Sequence, residues 1–161
     1  MPAGPSYDPV KRAVLGLSGG PVDGEVVHLG CKLARADRTE LVGVYVVEVD
    51  WRHDLDDELE VEREVASRAL DVAEGMAERE KVQLKTQLLQ ARDVAAALVD
   101  EAVALEADAI VLGLPYRVRF GGEFAIGQTI PYVFKNAPCR VFVAREPVAR
   151  SESRQETSKR L

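Results

Sequence analysis

The chain reads as an α/β domain built on an open, mainly parallel five-stranded sheet with helices on both faces. Three observations predict this. Five short apolar, β-rich runs alternate with four amphipathic stretches, the order expected of βαβ units. The central runs are apolar at consecutive positions, as strands covered on both faces must be. The 161 residues, 47% apolar and 30% charged, suffice for one domain that buries roughly two-thirds of its unfolded surface.

Arg12 to Leu17 is the first strand, and Ser18-Gly19-Gly20-Pro21 breaks it. Val22 to Ala36 follows as a helix, with Val22, Val26, Leu29 and Leu33 at helical spacing. Leu41 to Val47 is a continuous apolar strand. A polar loop with Trp51 and His53 leads into a helix from about Asp56 to Glu80, whose inner face includes Leu59, Ala66, Leu70, Ala73 and Ala77. Val82 to Leu89 alternates apolar and polar residues, which places a strand near the sheet edge. Ala91 to Glu106 is helical, Ala109 to Leu112 a strand, Thr129 to Asn136 a helix and Arg140 to Ala144 the last strand. The domain is expected to span 10–146, between a flexible start, 1–9, and a flexible polar tail, 147–161. The crossovers should be right-handed.

A net charge of −6 argues against general nucleic-acid binding and against an anionic membrane surface. No apolar run approaches the ~20 residues of a membrane helix. The first residues lack the charged-then-apolar pattern of a secretory signal, so the expected compartment is the cytoplasm. Cys31 and Cys139 read as buried thiols.

The segment from Ala109 to Thr129 carries most of the functional information. An apolar run feeds a loop containing Gly113, Gly121, Gly122 and Gly127, and the loop enters a helix at Thr129. A strand, a glycine-bearing loop and a helix start in that order can hold an anion on free backbone N–H groups. The expected donors are Gly127, Gln128 and Thr129, with Arg117 and Arg119 adding charge. The bland reading is a packed loop whose glycines only permit turning. Ser18-Gly19-Gly20 allows close backbone approach after the first strand, and faintly resembles the pyrophosphate loop of ATP pyrophosphatases, with one residue too many before Asp23. The alternative there is a plain strand-to-helix turn with Asp23 near the helix start. His28, His53 and the cysteines lack metal-ligand spacing, so no metal site is assigned. No nucleophile stands in sequence beside a base and an orienting group, so no catalytic residue is assigned. The carboxylates from Asp54 to Glu64 read as a solvated helix start, and Trp51 as either a stacking surface or an interface anchor.

At these residues the chain resembles the universal stress protein family, over about Val10 to Ala144. The words that carry the resemblance are Ala107-Asp-Ala-Ile-Val-Leu-Gly113, Gly127-Gln-Thr129 and Asn136-Ala-Pro-Cys-Arg-Val-Phe-Val143. The resemblance implies strand order 3-2-1-4-5, with the loops after the first and fourth strands facing each other where that order reverses. It also implies a homodimer paired through Arg140 to Ala144. Nucleotide-binding members carry Gly-x2-Gly-x9-Gly-Ser/Thr after the fourth strand. Here Gly113 fits, Tyr116 replaces the second glycine, Gly127 arrives one residue late and Gln128 precedes the hydroxyl of Thr129. Ser18 takes the place of an Asp that contacts adenine or ribose, and Leu41 to Val47, centred on Val44, supplies backbone groups to an adenine edge.

The implied ligand is an adenine nucleotide, ATP or AMP, with Mg2+ as an accompanying ion. Its expected contacts are Leu17, Ser18, Gly19, Val44, Gly113, Tyr116, Arg117, Gly127, Gln128 and Thr129. The expectation is a regulatory, stress-response domain that binds the nucleotide reversibly, with slow ATP hydrolysis compatible but not required. The rivals are a nucleotide-free interaction module of the same fold, serving a protein partner such as a transporter, and an ATP pyrophosphatase-type enzyme.

Overall fold

The computed structural model describes residues 7–118 and 124–148. Arg119, Gly121, Gly122, the first six residues and the tail from 149 lie outside them. The elements are β1 (Arg12–Leu17), α1 (Asp23–Asp37), β2 (Glu40–Glu48), α2 (Glu60–Arg79), β3 (Leu84–Ala91), α3 (Val94–Ala104), β4 (Ala109–Leu114), α4 (Thr129–Asn136) and β5 (Arg140–Arg145). The sheet runs β3-β2-β1-β4-β5 and every neighbouring pair is parallel.

Alternation within each central strand feeds two separate cores. Ala13 and Leu15 of β1, with Ala109 and Val111 of β4, face α1 and α2. Val14, Ile110 and Leu112 face α3 and α4 on the other side, together with Val42, Val44 and Val46 of β2. Burying an aliphatic side chain contributes about 1.5–3 kcal/mol, so both faces of β1 and β4 are strongly specified. β3 is an edge strand, as its mixed pattern predicts.

The ladders position the site. β2 pairs with β3 as far as Glu48, but β1 keeps pace with β2 only to Leu17, opposite Tyr45. β1 and β4 pair from Ala13–Ala109 to Leu15–Val111 and then part. Beyond that point a crevice opens at the carboxyl ends of the central strands.

The second helix begins at Glu60, four residues later than its periodicity predicts. The Asp57 carboxylate accepts the Asp54 amide at 2.9 Å, and the Asp57 amide donates to the Asp54 carbonyl at 3.1 Å. Short acidic side chains compete in this way with helical hydrogen bonds.

Three helices end on non-glycine residues in the left-handed region: Arg38 (φ 56°), Lys81 (φ 60°) and Glu106 (φ 53°). After α2 and α3 the next amides, Val82 and Ala107, donate back to Ala77 and Ala102 at 3.0 and 2.9 Å. These are Schellman endings, where glycine is the usual residue because it lacks the Cβ that makes this conformation costly. Lys81→Gly and Glu106→Gly are therefore each expected to raise unfolding free energy by about 0.5–1 kcal/mol, read from the urea midpoint at unchanged slope.

Candidate functional site

The crevice between the diverging ends of β1 and β4 is a cleft of about 360 Å³. Its walls are Gly16, Leu17 and Ser18 from β1 and its loop, Val22 ahead of α1, Val94 and Leu98 of α3, Leu112 to Pro115, Arg117, and Ala125 to Ile130. A second groove of about 420 Å³ adjoins it, sharing Leu17, Ser18 and Val94 and adding Tyr45 to Glu48 with Val61, Glu62 and Val65 of α2. Each volume falls within the roughly 300–1,000 Å³ typical of small-molecule sites. The second groove lies where β2 outruns β1, so the β2 edge facing β1 beyond Tyr45 has no ladder partner in that strand.

The start of α4 forms one wall of the first cleft. Gly127 has φ +78°, and a Cβ placed there would meet no protein atom within 4 Å. Gln128 flanks the helix, and the first amide to donate back is that of Tyr132, to the Gln128 carbonyl at 3.2 Å. Pro131 has no N–H to satisfy. Among the described residues, the amides of Gly127, Gln128, Thr129 and Ile130 donate to no protein acceptor. These are the orphan donors of a helix start, at the positive end of its dipole.

The turn after β1 is arranged differently. Asp23, 7% exposed, opens α1 without capping it. Its carboxylate turns back instead, accepting the amides of Ser18 (2.9 Å) and Gly19 (2.8 Å) and the Ser18 hydroxyl (3.2 Å). Those amides are the ones a pyrophosphate loop would offer, so this turn carries its own anion. The likeness to ATP pyrophosphatases stops there.

The residues expected from the sequence fall into two groups. Leu17, Ser18, Gly113, Arg117, Gly127, Gln128 and Thr129 all line the cleft. Gly113 does so for a packing reason: an added Cβ would come within 2.8 Å of both methyls of Val22. Gly19, Val44 and Tyr116 are outside the cleft lining. Gly19 (φ +82°) faces the Tyr45 ring and Ala69. Val44 is fully buried in the ladder between Gly16 and Gln87, and the β2 residues that reach the groove are Tyr45 to Glu48. Tyr116 turns toward β5, with its ring 5.5 Å from that of Phe124 and the Arg145 guanidinium 5.4 Å from its centre. Its amide donates to the Glu146 carboxylate at 2.9 Å.

Sequence reasoning missed the apolar walls: Val22, Leu98, Ile130, Val61 and Val65, because helical spacing marks such residues as core without saying which core, and Ile126, because a loop residue carries no periodic signal. It also missed the Asp23 and Glu146 contacts. Trp51 is 83% exposed, with Arg92 stacked 4.6 Å from its ring centre, and lines neither cavity. His28 pairs with Glu80 and His53 with Asp57. Among the described residues no group of three or more His, Cys, Asp or Glu side chains could hold a metal ion.

A family model of universal stress proteins matches residues 9–145. The chain belongs to the universal stress protein family. The solved structures it resembles include the universal stress protein UspA from Lactobacillus plantarum, at 24% identity and a TM-score of 0.70 over 86% of this chain and 100% of that one. A universal stress protein from Archaeoglobus fulgidus in complex with dAMP shares 17% identity at a TM-score of 0.68, over 84% and 98%. A family protein from Arabidopsis thaliana with AMP bound shares 10% identity at 0.62, over 86% and 93%. These likenesses establish the shared fold. A search of curated proteins found no match. Among the described residues no helix of this universal stress protein is long and apolar enough to cross a membrane.

Two outcomes follow from this geometry. Asp23→Ala removes the acceptor of two amides and is expected to cost about 1–2 kcal/mol of stability in chemical denaturation, since Ser18 and Gly19 are exposed and water can reach them. The Cys31 thiol is raised to about 11 by burial and by the neighbouring Glu80, and burial also raises Cys139. The thiolate is the reactive form, so at pH 8 alkylation of both should be far slower in the native protein than in denaturant.

Proposed function

We propose that this universal stress protein domain is a cytoplasmic regulatory module that reversibly binds an adenine nucleotide across the two adjoining cavities. The observation that carries the reading is that Gly127 to Ile130 line the cleft with amides that have no acceptor among the described residues. A phosphoryl group supplies the anionic oxygens those donors lack, and the α4 dipole favours its charge. Arg117 stands on the same cleft and can add a charge-assisted contact. The second groove suits the nucleoside end. Its walls are largely apolar, and Glu48 and Glu62 would repel phosphate while accepting from hydroxyl or amino groups. The dAMP and AMP found in the two relatives support a nucleotide of this class.

The output surface in this reading is β5. It pairs with β4 alone, and its residues Val141 to Ala144 are half-buried in the single chain. A second copy laid along Arg140 to Ala144 would cover that edge, which otherwise presents unpaired backbone groups. Nucleotide can shift such an equilibrium only by binding one state better than the other.

The test is mass spectrometry of gently purified protein for a retained nucleotide, followed by calorimetric titration with AMP and ATP. Gly127→Leu, which strains the turn and projects into the cleft, should weaken binding at least about tenfold. Light scattering should give twice the 17.6 kDa mass of one chain. Absence of retained nucleotide, with no heat of binding up to roughly 1 mM ligand, would leave the nucleotide-free interaction module as the better reading.

A further inference from the structure

We propose that a basic groove at the amino ends of β2 and β3 is a docking site for an acidic, extended segment of a partner protein. It lies at the opposite end of the sheet from the cleft and does not depend on the nucleotide reading.

The groove, of about 470 Å³, forms where Arg38 to Leu41 lead into β2 and Lys81 to Lys85 lead into β3. Four cationic side chains line it, Arg35, Arg38, Lys81 and Lys85, against one carboxylate, Glu40. In a chain of net charge −6 this is a local reversal of sign. Two of the four cations are already matched: Arg35 pairs with Glu80 at 3.3 Å, and Lys85 with Glu40 at 3.0 Å. Arg38 and Lys81 are exposed and, among the described residues, meet no carboxylate.

These two are also the left-handed residues that follow α1 and α2, with φ 56° and 60°. Glycine adopts that conformation more cheaply, yet a cation stands at each. Glu106 shows that such a position by itself marks no site. What sets Arg38 and Lys81 apart is that both line one groove. Simpler roles account for the other two cations: Lys85 guards an edge strand, and Arg35 in the last turn of α1 complements the helix dipole. Neither role covers Lys81, which is off the strand and past the end of α2.

The number and placement of the free charges select the occupant. Two unmatched cations suit two carboxylates, and the Arg38 guanidinium offers the fork that a carboxylate fits. A compact polyphosphate would concentrate its charge beside Glu40 and near Glu80, the partner of Arg35. The groove reaches β3 at Lys85, and β3 pairs with β2 alone. Its outer edge can accept an added extended strand, whose alternate side chains point the same way. Ala34 and Val82 add apolar contact surface.

The test is fluorescence anisotropy of a labelled octapeptide of alternating Glu and Thr, titrated with the full chain, beside the same peptide carrying Lys for Glu. The Glu peptide should bind and the Lys peptide should not, and about 0.5 M NaCl should weaken binding at least about tenfold. Arg38→Gly and Lys81→Gly relieve the left-handed backbone, so each should keep its fold in a thermal melt while binding the peptide at least about fivefold more weakly. AMP at about 1 mM should not displace the peptide. Unchanged affinity in both folded variants would overturn the inference, as would equal binding of the Lys peptide or displacement by AMP. Displacement by equimolar pyrophosphate or a single-stranded oligonucleotide would overturn the assignment to a polypeptide. A salt-sensitive self-association lost in Lys81→Gly would name the acidic stretch Asp54 to Glu64 of a second copy as the occupant, and would overturn the assignment to a different protein.

Discussion

The structure depends on a constraint of parallel sheets: each connection must cross a face of the sheet before the next strand can begin. From β1 the chain moves outward through α1 and α2 on one face, then returns to the other side of β1 through α3 and α4 on the opposite face. The loops leaving β1 and β4 are therefore drawn toward different faces, and the two strands part beyond Leu15 and Val111. That parting creates the cleft, brings Val22 against Gly113, and aims the start of α4 at the space between them.

Within this frame the chain satisfies strand-end amides with its own acidic side chains. At the amino ends of the strands, Asp108 accepts the amides of Lys11 and Arg12, and Asp37 accepts that of Val10. At the carboxyl ends, Asp23 and Glu146 do the same. Each hydrogen bond to a charged acceptor adds modestly to stability, most for the buried Val10 amide, whose N–H would otherwise lack a partner. The consequence differs between the two ends. At the amino ends the carboxylates help anchor β1 and the segment before it. At the carboxyl ends they fix the loops that leave β1 and β4.

Most elements were legible because their signals are local. β1 and β4 stand out as unbroken apolar runs between breakers, α4 begins at the Thr129 its pattern indicates, and β5 begins at Arg140. The errors lie at the start of α2 and around β3. The Asp54–Asp57 turn delays α2, and β3 runs Leu84–Ala91 rather than Val82 to Leu89, so that α3 starts at Val94 rather than Ala91. Of the site, Leu17, Ser18, Arg117 and Gly127 to Thr129 could be read because loops that follow strands of an α/β sheet gather at one edge. Val44 could not be separated from Val46, since every position of a doubly covered strand looks alike.

By itself the sequence determined the α/β class, the order of its elements, and the presence of a glycine-bearing loop entering a helix. These follow from periodicity and turn chemistry, which report on residues within a few positions of each other. Only the tertiary structure decided which amides remain open. Asp23 reaches back five residues to Ser18, and Glu146 meets Tyr116 across thirty. Such partners are brought together by strand order and side-chain direction, so no local pattern distinguishes an amide that can receive a ligand from one the chain has already satisfied.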